Sequence, residues 1–395
     1  MKKIYLHGAK HQIARHKTIR DINKQIVLNY VRARSPISRA DIARESSLQR
    51  STVSAIVDDL AYEGLIEEIG TGDSTGGRKP TMLRLRTGFP AAIGVDVAPR
   101  QTTIALADLA GNIMHSDVFP TSPDIGFMND QILPKVKHLA KMHADRDLEV
   151  GISIPGIADQ DAGRMVYIPY FQWSDWDIGQ KITEATGLTV VVDNDANAVA
   201  LAELWFGPDE IKRTRNFIVV MVAEGIGTGI IIDGQIYRGE SGAAGEFGHM
   251  FVGENAPVIC SCGRRDCWEA HASEKAILHR YGSGNGDAEG ISFDSFLDRA
   301  KKGEKHAENV LGKTAEYLGI GISNLIIGFS PEAVIVSGGI VKVWDLIKDK
   351  IEQLGSRSIR HELSGTLIVP SKLGGSPTVL GSVSLILVRK FAAAS

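Results

Sequence analysis

The chain has 395 residues, more than one ordinary hydrophobic core accommodates, so two or three domains are expected. Its composition, 43% hydrophobic and 23% charged, is that of a soluble globular protein, and no apolar run reaches bilayer-spanning length, which excludes insertion into a membrane. The formal charge of −3 conceals an asymmetry: residues 1–90 carry 16 Lys and Arg against 9 Asp and Glu, while the remainder carries 28 against 38. A basic end on an acidic body suggests nucleic-acid binding at one end and another task at the other, although charge alone fits a merely basic surface equally well.

At the amino terminus Met1-Lys2-Lys3-Ile4 breaks at once into polar sequence without the apolar core of a secretory signal, so a cytoplasmic location is expected. Between residues 18 and 34, Ile19, Ile22, Ile26, Val27, Tyr30 and Val31 recur at helical spacing, and Pro36 ends the helix. Ser38-Arg39-Ala40-Asp41 is a capping-box-like start for a short second helix reaching about Glu45, and Ser46-Ser47-Leu48 follows as a tight turn. A third helix buries Val53, Ile56, Val57 and Leu60 and leaves Gln49, Arg50, Ser51, Thr52 and Ser54 free at its start. A short helix, a turn and a second helix with exposed polar groups at its start is how a helix-turn-helix faces the major groove. Arg50 suits a guanine edge there and Gln49 an adenine edge. The segment 65–69 and the alternating Met82-Leu83-Arg84-Leu85-Arg86 predict a two-stranded wing, with a basic, glycine-rich tip fit for phosphate or a minor groove. Residues 1–88 therefore read as a winged helix-turn-helix. The alternative is a regulatory or dimerisation module without DNA contact.

Beyond Gly88-Phe89-Pro90 short buried strands alternate with helices, the pattern of an α/β architecture. Two lobes are expected, residues 89–215 and 216–395. Gly225-Ile226-Gly227-Thr228-Gly229 is either a glycine-rich turn that brings backbone N–H groups to phosphate or a plain hairpin turn. In Val192-Asp193-Asn194-Asp195 a strand ends in groups that recognise ligand hydroxyls, Asp195 accepting from one and Asn194 bridging to a neighbour. The alternative is an Asx turn that caps its own helix. His249 with Cys260, Cys262 and Cys267 supplies one imidazole and three thiolates. An odd cysteine count in so tight a cluster argues for metal over disulfides, and four such ligands close a tetrahedral zinc shell without a water position, so the ion is expected to be structural.

Three further stretches are specific. Ser38-Arg39-Ala40-Asp41-Ile42-Ala43 with Ser51-Thr52-Val53-Ser54 and Gly76-Gly77-Arg78-Lys79-Pro80, then Gly245-Glu246-Phe247-Gly248-His249, then Cys260-Ser261-Cys262-Gly263-Arg264-Arg265-Asp266-Cys267-Trp268-Glu269, together resemble repressors of the ROK family. In the last stretch Asp266 replaces the family's usual glycine, which puts the local turn in question while every ligand position is kept. The resemblance implies a two-lobed, actin-like, hexokinase-type fold behind the DNA reader, with Arg39 in the reader and Gly77, Arg78, Lys79 and Pro80 touching DNA. It implies a sugar or sugar-phosphate effector held by Gly156, Asn194, Asp195, Glu246, His249 and Glu269. If His249 binds the metal through one nitrogen, its other nitrogen is expected to touch a sugar hydroxyl.

In the family's kinases the residue matching Asp195 is the general base, yet their Asp-x-Gly-Gly-Thr phosphate loop reads Asp96-Val97-Ala98-Pro99-Arg100-Gln101 here. Ala98 and Pro99 remove conformational freedom and, at Pro99, an N–H. The expectation is a sugar-responsive regulator without enzymatic activity, repressing carbohydrate uptake or catabolism genes. The alternatives are an active sugar kinase with a DNA-binding head, or a regulator controlled by a protein partner. Readers of palindromes pair their half-sites through two-fold symmetry, so a homodimer or homotetramer is expected on an operator of double-stranded DNA.

Overall fold

The computed structural model describes residues 16–72, 79–124, 126–160, 162–283, 290–355 and 365–391. They fall into two compact units, one comprising the residues up to Phe89 together with those from Arg389 onward and one spanning Pro90–Val388.

In the first unit α1 (His16–Arg34) is followed by β1 (Ile37–Ser38), α2 (Arg39–Ser46), α3 (Arg50–Tyr62), β2 (Ile66–Thr71) and β3 (Thr81–Leu85). Ser38 starts α2 as its spacing predicts: its hydroxyl accepts from the Asp41 backbone N–H at 3.2 Å and donates to the Asp41 carboxylate at 2.6 Å. This satisfies an amide that the helix start leaves without an intrahelical partner. Val53, Ile56, Val57 and Leu60 are buried, as are Val27, Leu28 and Val31 of α1 and Leu83 of β3.

The apolar stripe predicted for α1 holds only in its second half, since Ile19 and Ile22 are 46% and 37% exposed. A three-helix core is too small to cover a 19-residue helix, and the first turns of α1 instead reach α3 through the ion pairs Arg20–Asp59 at 2.6 Å and Lys24–Glu63 at 2.5 Å. β2 and β3 pair antiparallel, and Ile37 opposite Leu83 adds a third strand in the order β1-β3-β2.

The second unit builds one topology twice. β4 (Ala92–Val97), β5 (Gln101–Ala107) and β6 (Ile113–Pro120) form an antiparallel meander. After α4 (Leu133–Met142), β7 (Val150–Ile154) adds parallel to β4. The small antiparallel sheet of β8 (Ile157–Asp159), β9 (Arg164–Ile168) and β10 (Trp173–Trp176) comes next, then α5 (Ile178–Thr186) and β11 (Val190–Asn194), which adds parallel to β7. α6 (Asp195–Phe206) and α7 (Asp209–Lys212) lead into a second meander, β12 (Phe217–Val222), β13 (Ile226–Ile232) and β14 (Gln235–Ile236). The helices α8 (Trp268–Ala272), α9 (Glu274–Gly282), α10 (Phe293–Lys301) and α11 (Lys305–Phe329) precede β15 (Ala333–Gly338), α12 (Trp344–Gly355), β16 (Leu367–Pro370) and α13 (Pro377–Phe391).

The resulting orders, β6-β5-β4-β7-β11 and β14-β13-β12-β15-β16, are the duplicated lobes that the strand alternation predicts. Strands such as β12 are buried along their whole length, as parallel-paired strands covered on both faces must be.

One expectation changes. The division at residue 216 assigns everything after it to the second lobe, yet α13 lies on the first sheet. A Cβ on Gly151 would overlap the Ser382 carbonyl oxygen, one on Gly94 would collide with Val383, and the Ser153 hydroxyl faces the Thr378 carbonyl at 3.5 Å. The glycine run at 225–229 leads from the β12–β13 hairpin turn into β13. Gly227 and Gly229 sit inside β13, where a Cβ on either would strike Ala196 of α6, so they let helix and strand approach closely. Among the described residues no helix is long and apolar enough to cross a membrane.

Candidate metal centre and ligand pocket

On the first unit Gln49 precedes α3 in extended conformation and is exposed, as are Arg50 and Ser51 on its first turn, with Thr52 and Ser54 half-buried. Lys79 is exposed beside Pro80, whose carbonyl accepts from Gly72 N–H at 2.9 Å and closes the base of the wing. Gly77 and Arg78 lie outside the described residues. Arg39, expected in the DNA reader, also has partners within the head. Its guanidinium pairs with Asp58 at 2.7 Å and Glu68 at 3.2 Å and donates to the Ser54 carbonyl, so two carboxylates spend it on fastening α2 to α3 and β2.

In the second unit a cavity of about 990 Å³ is lined by all six residues expected to hold a sugar: Gly156, Asn194 and Asp195 from the first lobe, and Glu246, His249 and Glu269 from the second. Gly156 is a glycine because β9 passes against it, where a Cβ would overlap the Tyr167 carbonyl. Asn194 caps α6: its Oδ1 accepts from the N–H groups of Ala196 at 2.9 Å and Asn197 at 3.2 Å, and its Nδ2 donates to the Gly156 carbonyl at 3.1 Å. The Asx-cap alternative is therefore realised, and Asn194 keeps one amide hydrogen for a ligand.

Asp195 stands at the start of α6 with its pKa pushed up to about 8, first by burial and next by the charges of Asp96 and Glu246. Asp96 is itself buried, which raises its pKa against the hydroxyls of Thr378 at 2.6 Å and Ser153 at 2.8 Å that donate to it. Glu246 is raised by burial and by Glu269, with His249 opposing. Raised to about 8, Asp195 keeps its proton at neutral pH, so the cavity offers an acidic O–H beside carboxyl acceptors to a neutral, hydroxyl-rich ligand.

A folded pKa above the unfolded one means that the contribution of Asp195 to stability is complete below the ordinary carboxylate range and is lost as pH rises through about 8. The ligand-free protein is expected to melt progressively lower between about pH 5 and pH 9, and Asp195→Asn to flatten that fall. Thermal denaturation across pH measures both, and an unchanged slope in the variant would refute the assignment.

His249, Cys260, Cys262 and Cys267 present one ligand atom each, all within 4.8 Å of one another. His249 Nδ1 lies 3.1 Å from Cys260 Sγ, which is 3.3 Å from Cys262 Sγ, which is 3.5 Å from Cys267 Sγ. Tetrahedral bonds of ~2.0–2.3 Å place ligand atoms roughly 3.3–3.8 Å apart, so the set fits a four-coordinate ion with little adjustment. Burial and the neighbouring thiols push the Cys267 thiol up, a crowding that a bound cation relieves. The loop is shaped by Gly263, whose φ of +88° permits its N–H to reach the Cys260 carbonyl at 2.9 Å. Asp266, at the family's glycine position, has no left-handed backbone and pairs with Arg264 at 2.9 Å, so the turn survives the replacement.

The ring nitrogen of His249 that faces away from Cys260 has a carboxyl neighbour. Nε2 lies 3.5 Å from Glu246 Oε2. Glu269 is tied to the same loop, its Oε1 accepting from Ser261 Oγ at 3.0 Å and standing 3.3 Å from Cys260 Sγ. Two pocket carboxyls are thus held by the candidate metal cluster and its loop.

Sequence patterns missed three contacts. Ser153 and Thr378 grip Asp96, the Arg238 guanidinium donates to buried Asp193 at 2.7 and 2.9 Å, and Arg100 pairs with Glu224 between the β4–β5 and β12–β13 turns. All join residues distant in sequence, where periodicity carries no signal.

A sequence model of the ROK family matches residues 92–389, three quarters of the chain. The chain belongs to the ROK family. A xylose repressor of Bacillus spizizenii is 34% identical over 382 residues, covering 95% of this ROK chain and 97% of that repressor. A solved ROK family transcriptional regulator, described as a homologue of the Escherichia coli Mlc protein, aligns with a TM-score of 0.78 at 26% identity, covering 95% of this chain and 97% of that one. A ROK family glucokinase from Streptomyces griseus, solved with glucose and AMPPNP, aligns with a TM-score of 0.65 at 27% identity and covers 74% of this chain against 98% of its own. Regulators match along the whole ROK chain, whereas the kinase leaves about a quarter of it unmatched.

Proposed function

We propose that this ROK protein is a sugar-responsive transcriptional repressor of carbohydrate uptake or catabolism genes. The observation that carries this reading is the convergence of Gly156, Asn194, Asp195, Glu246, His249 and Glu269 on one cavity, in a chain aligned end to end with a xylose repressor. Their carboxyls and amide suit a neutral sugar. Residues 1–88 read the operator, with Gln49, Arg50, Ser51, Thr52 and Ser54 toward the major groove and Gly77, Arg78, Lys79 and Pro80 toward phosphate or the minor groove, on an even-numbered oligomer. Residues 89–215 and 216–395 form the two effector-binding lobes, with α13 returned to the first.

The metal is zinc, held structurally by His249, Cys260, Cys262 and Cys267. A closed four-ligand set leaves no position for a reacting water, so zinc supplies rigidity rather than chemistry.

Loss of phosphoryl transfer is supported by the β4–β5 turn. Ala98 N–H donates to the Gln101 carbonyl at 3.2 Å, Pro99 has no N–H, and Arg100 is engaged by Glu224. A phosphate cradle needs outward backbone donors, and these are inward or missing. Asp195 alone favours the second reading, a kinase with a DNA-binding head. A coupled assay with ATP and a panel of aldoses and N-acetylhexosamines separates the two. No turnover above background is expected, and turnover abolished by Asp195→Asn would establish the kinase. Calorimetric titration with the same sugars tests the effector: binding of one is expected, and silence from all would favour control by a protein partner.

A further inference from the structure

We infer that the pocket takes a ligand of at least two linked sugar rings, the second ring lying on Tyr170 and Tyr167. The inference rests on the sugar-binding reading above and deepens it. The cavity, about 990 Å³, extends beyond the clustered carboxyls in two directions, one along Tyr167 and Tyr170 and one toward residues 98–101, and so holds more than one pyranose ring. Its hydroxyl-gripping groups gather at Asp195, Glu246 and Glu269. Beside them, β9 pairs Tyr167 with Ile157, the residue after Gly156, and the β9–β10 turn brings Tyr170 to the wall of the same cavity. Tyr167 is 39% exposed and Tyr170 53%.

A pyranose presents hydroxyls at its rim and C–H groups on its faces, and a flat exposed aromatic ring matches such a face. Exposure is not accompanied by slackness here. The Tyr170 ring meets Phe171 edge-on at 5.1 Å, Phe171 stacks on Trp173 at 4.4 Å, and buried Trp173 donates through Nε1 to the Pro123 carbonyl at 2.7 Å. Gln172 and Asp175, flanking that anchor, hold left-handed backbone at φ 55° and 48°, a conformation that non-glycine residues keep only where the surroundings enforce it. The platform is thus fixed before ligand arrives, which lowers the ordering cost of binding. On the second lobe Ile259, 48% exposed beside Cys260, adds an apolar group to the same cavity. The other direction of extension, toward residues 98–101, passes the Arg100–Glu224 ion pair to Glu274, Lys275, Gly338 and Gly339 and offers no aromatic face to a neutral ring.

Calorimetry on the full-length protein tests this with xylose, glucose and N-acetylglucosamine against xylobiose, cellobiose and chitobiose. One disaccharide is expected to bind about tenfold or more tightly than its own monomer. Tyr170→Ala is expected to bring that ratio close to one, and Tyr170→Phe, which keeps the stacking face, to preserve it. A wild-type protein that binds a monomer as tightly as its dimer would overturn the inference and leave the sugar-binding reading intact. So would a Tyr170→Ala variant that weakens both ligands equally. Failure of every sugar to bind would overturn the sugar-binding reading and the inference together.

Discussion

Replacing Cys267 by serine is expected to abolish metal retention and to weaken sugar binding roughly tenfold to a hundredfold. Cys267 is fully buried and stands immediately before α8, the helix that carries Glu269. A metal held by these four residues would orient Glu246 through His249 and hold Glu269 through the Cys260–Cys262 loop. Two of the pocket's three clustered carboxyls would then depend on one ion for their positions. Without it, three crowded thiols lose the cation that offsets them, and the loop relaxes. Metal content by mass spectrometry, calorimetry with the best sugar and thermal denaturation together measure the effect. Chelation of the wild-type protein is expected to reproduce it. A metal-free protein that binds sugar with wild-type affinity would show that loop and pocket are uncoupled.

Arg50→Ala is expected to lower operator affinity by about 1–3 kcal/mol, roughly 5-fold to 150-fold, and to relax preference at one base pair. Arg50 is exposed on the first turn of α3, while the stripe that holds this helix, Val53, Ile56, Val57 and Leu60, points the other way. The loss should therefore appear in binding and leave the melting temperature unchanged. Lys79→Ala is a useful contrast. A phosphate contact carries no sequence information, so that variant should weaken all operators alike and reduce the slope of log affinity against log salt by about 1. Anisotropy titrations on operator variants at several salt concentrations distinguish the two. Equal, sequence-independent losses from both would show that Arg50 reads phosphate.

The head was legible because its signals are local. The Ser38–Asp41 cap lies within one turn, and the α3 stripe repeats at helical spacing. Failures began where a partner lay far along the chain. Nothing near Ile19 or Ile22 says that the core ends before them, and nothing near Arg39 announces Asp58 and Glu68. The metal cluster was legible for a different reason: thiols so closely spaced have few other uses. Within the pocket, residue types were visible but their tasks were not. Asn194 spends most of its carboxamide on α6, and Asp96 is held by Thr378, a residue 282 positions away. The return of α13 to the first sheet had a trace in Gly94 and Gly151, but a glycine reveals only that something comes close, never what.

The central claim, a repressor that kept the sugar and lost the reaction, is tested most directly by one titration. Operator affinity of the full-length protein is measured by fluorescence anisotropy with and without each sugar of the panel, and again with Asp195→Ala. A change of about tenfold or more with at least one sugar, absent in the variant, is the predicted result. Operator affinity unmoved by every sugar that binds the protein would contradict the account.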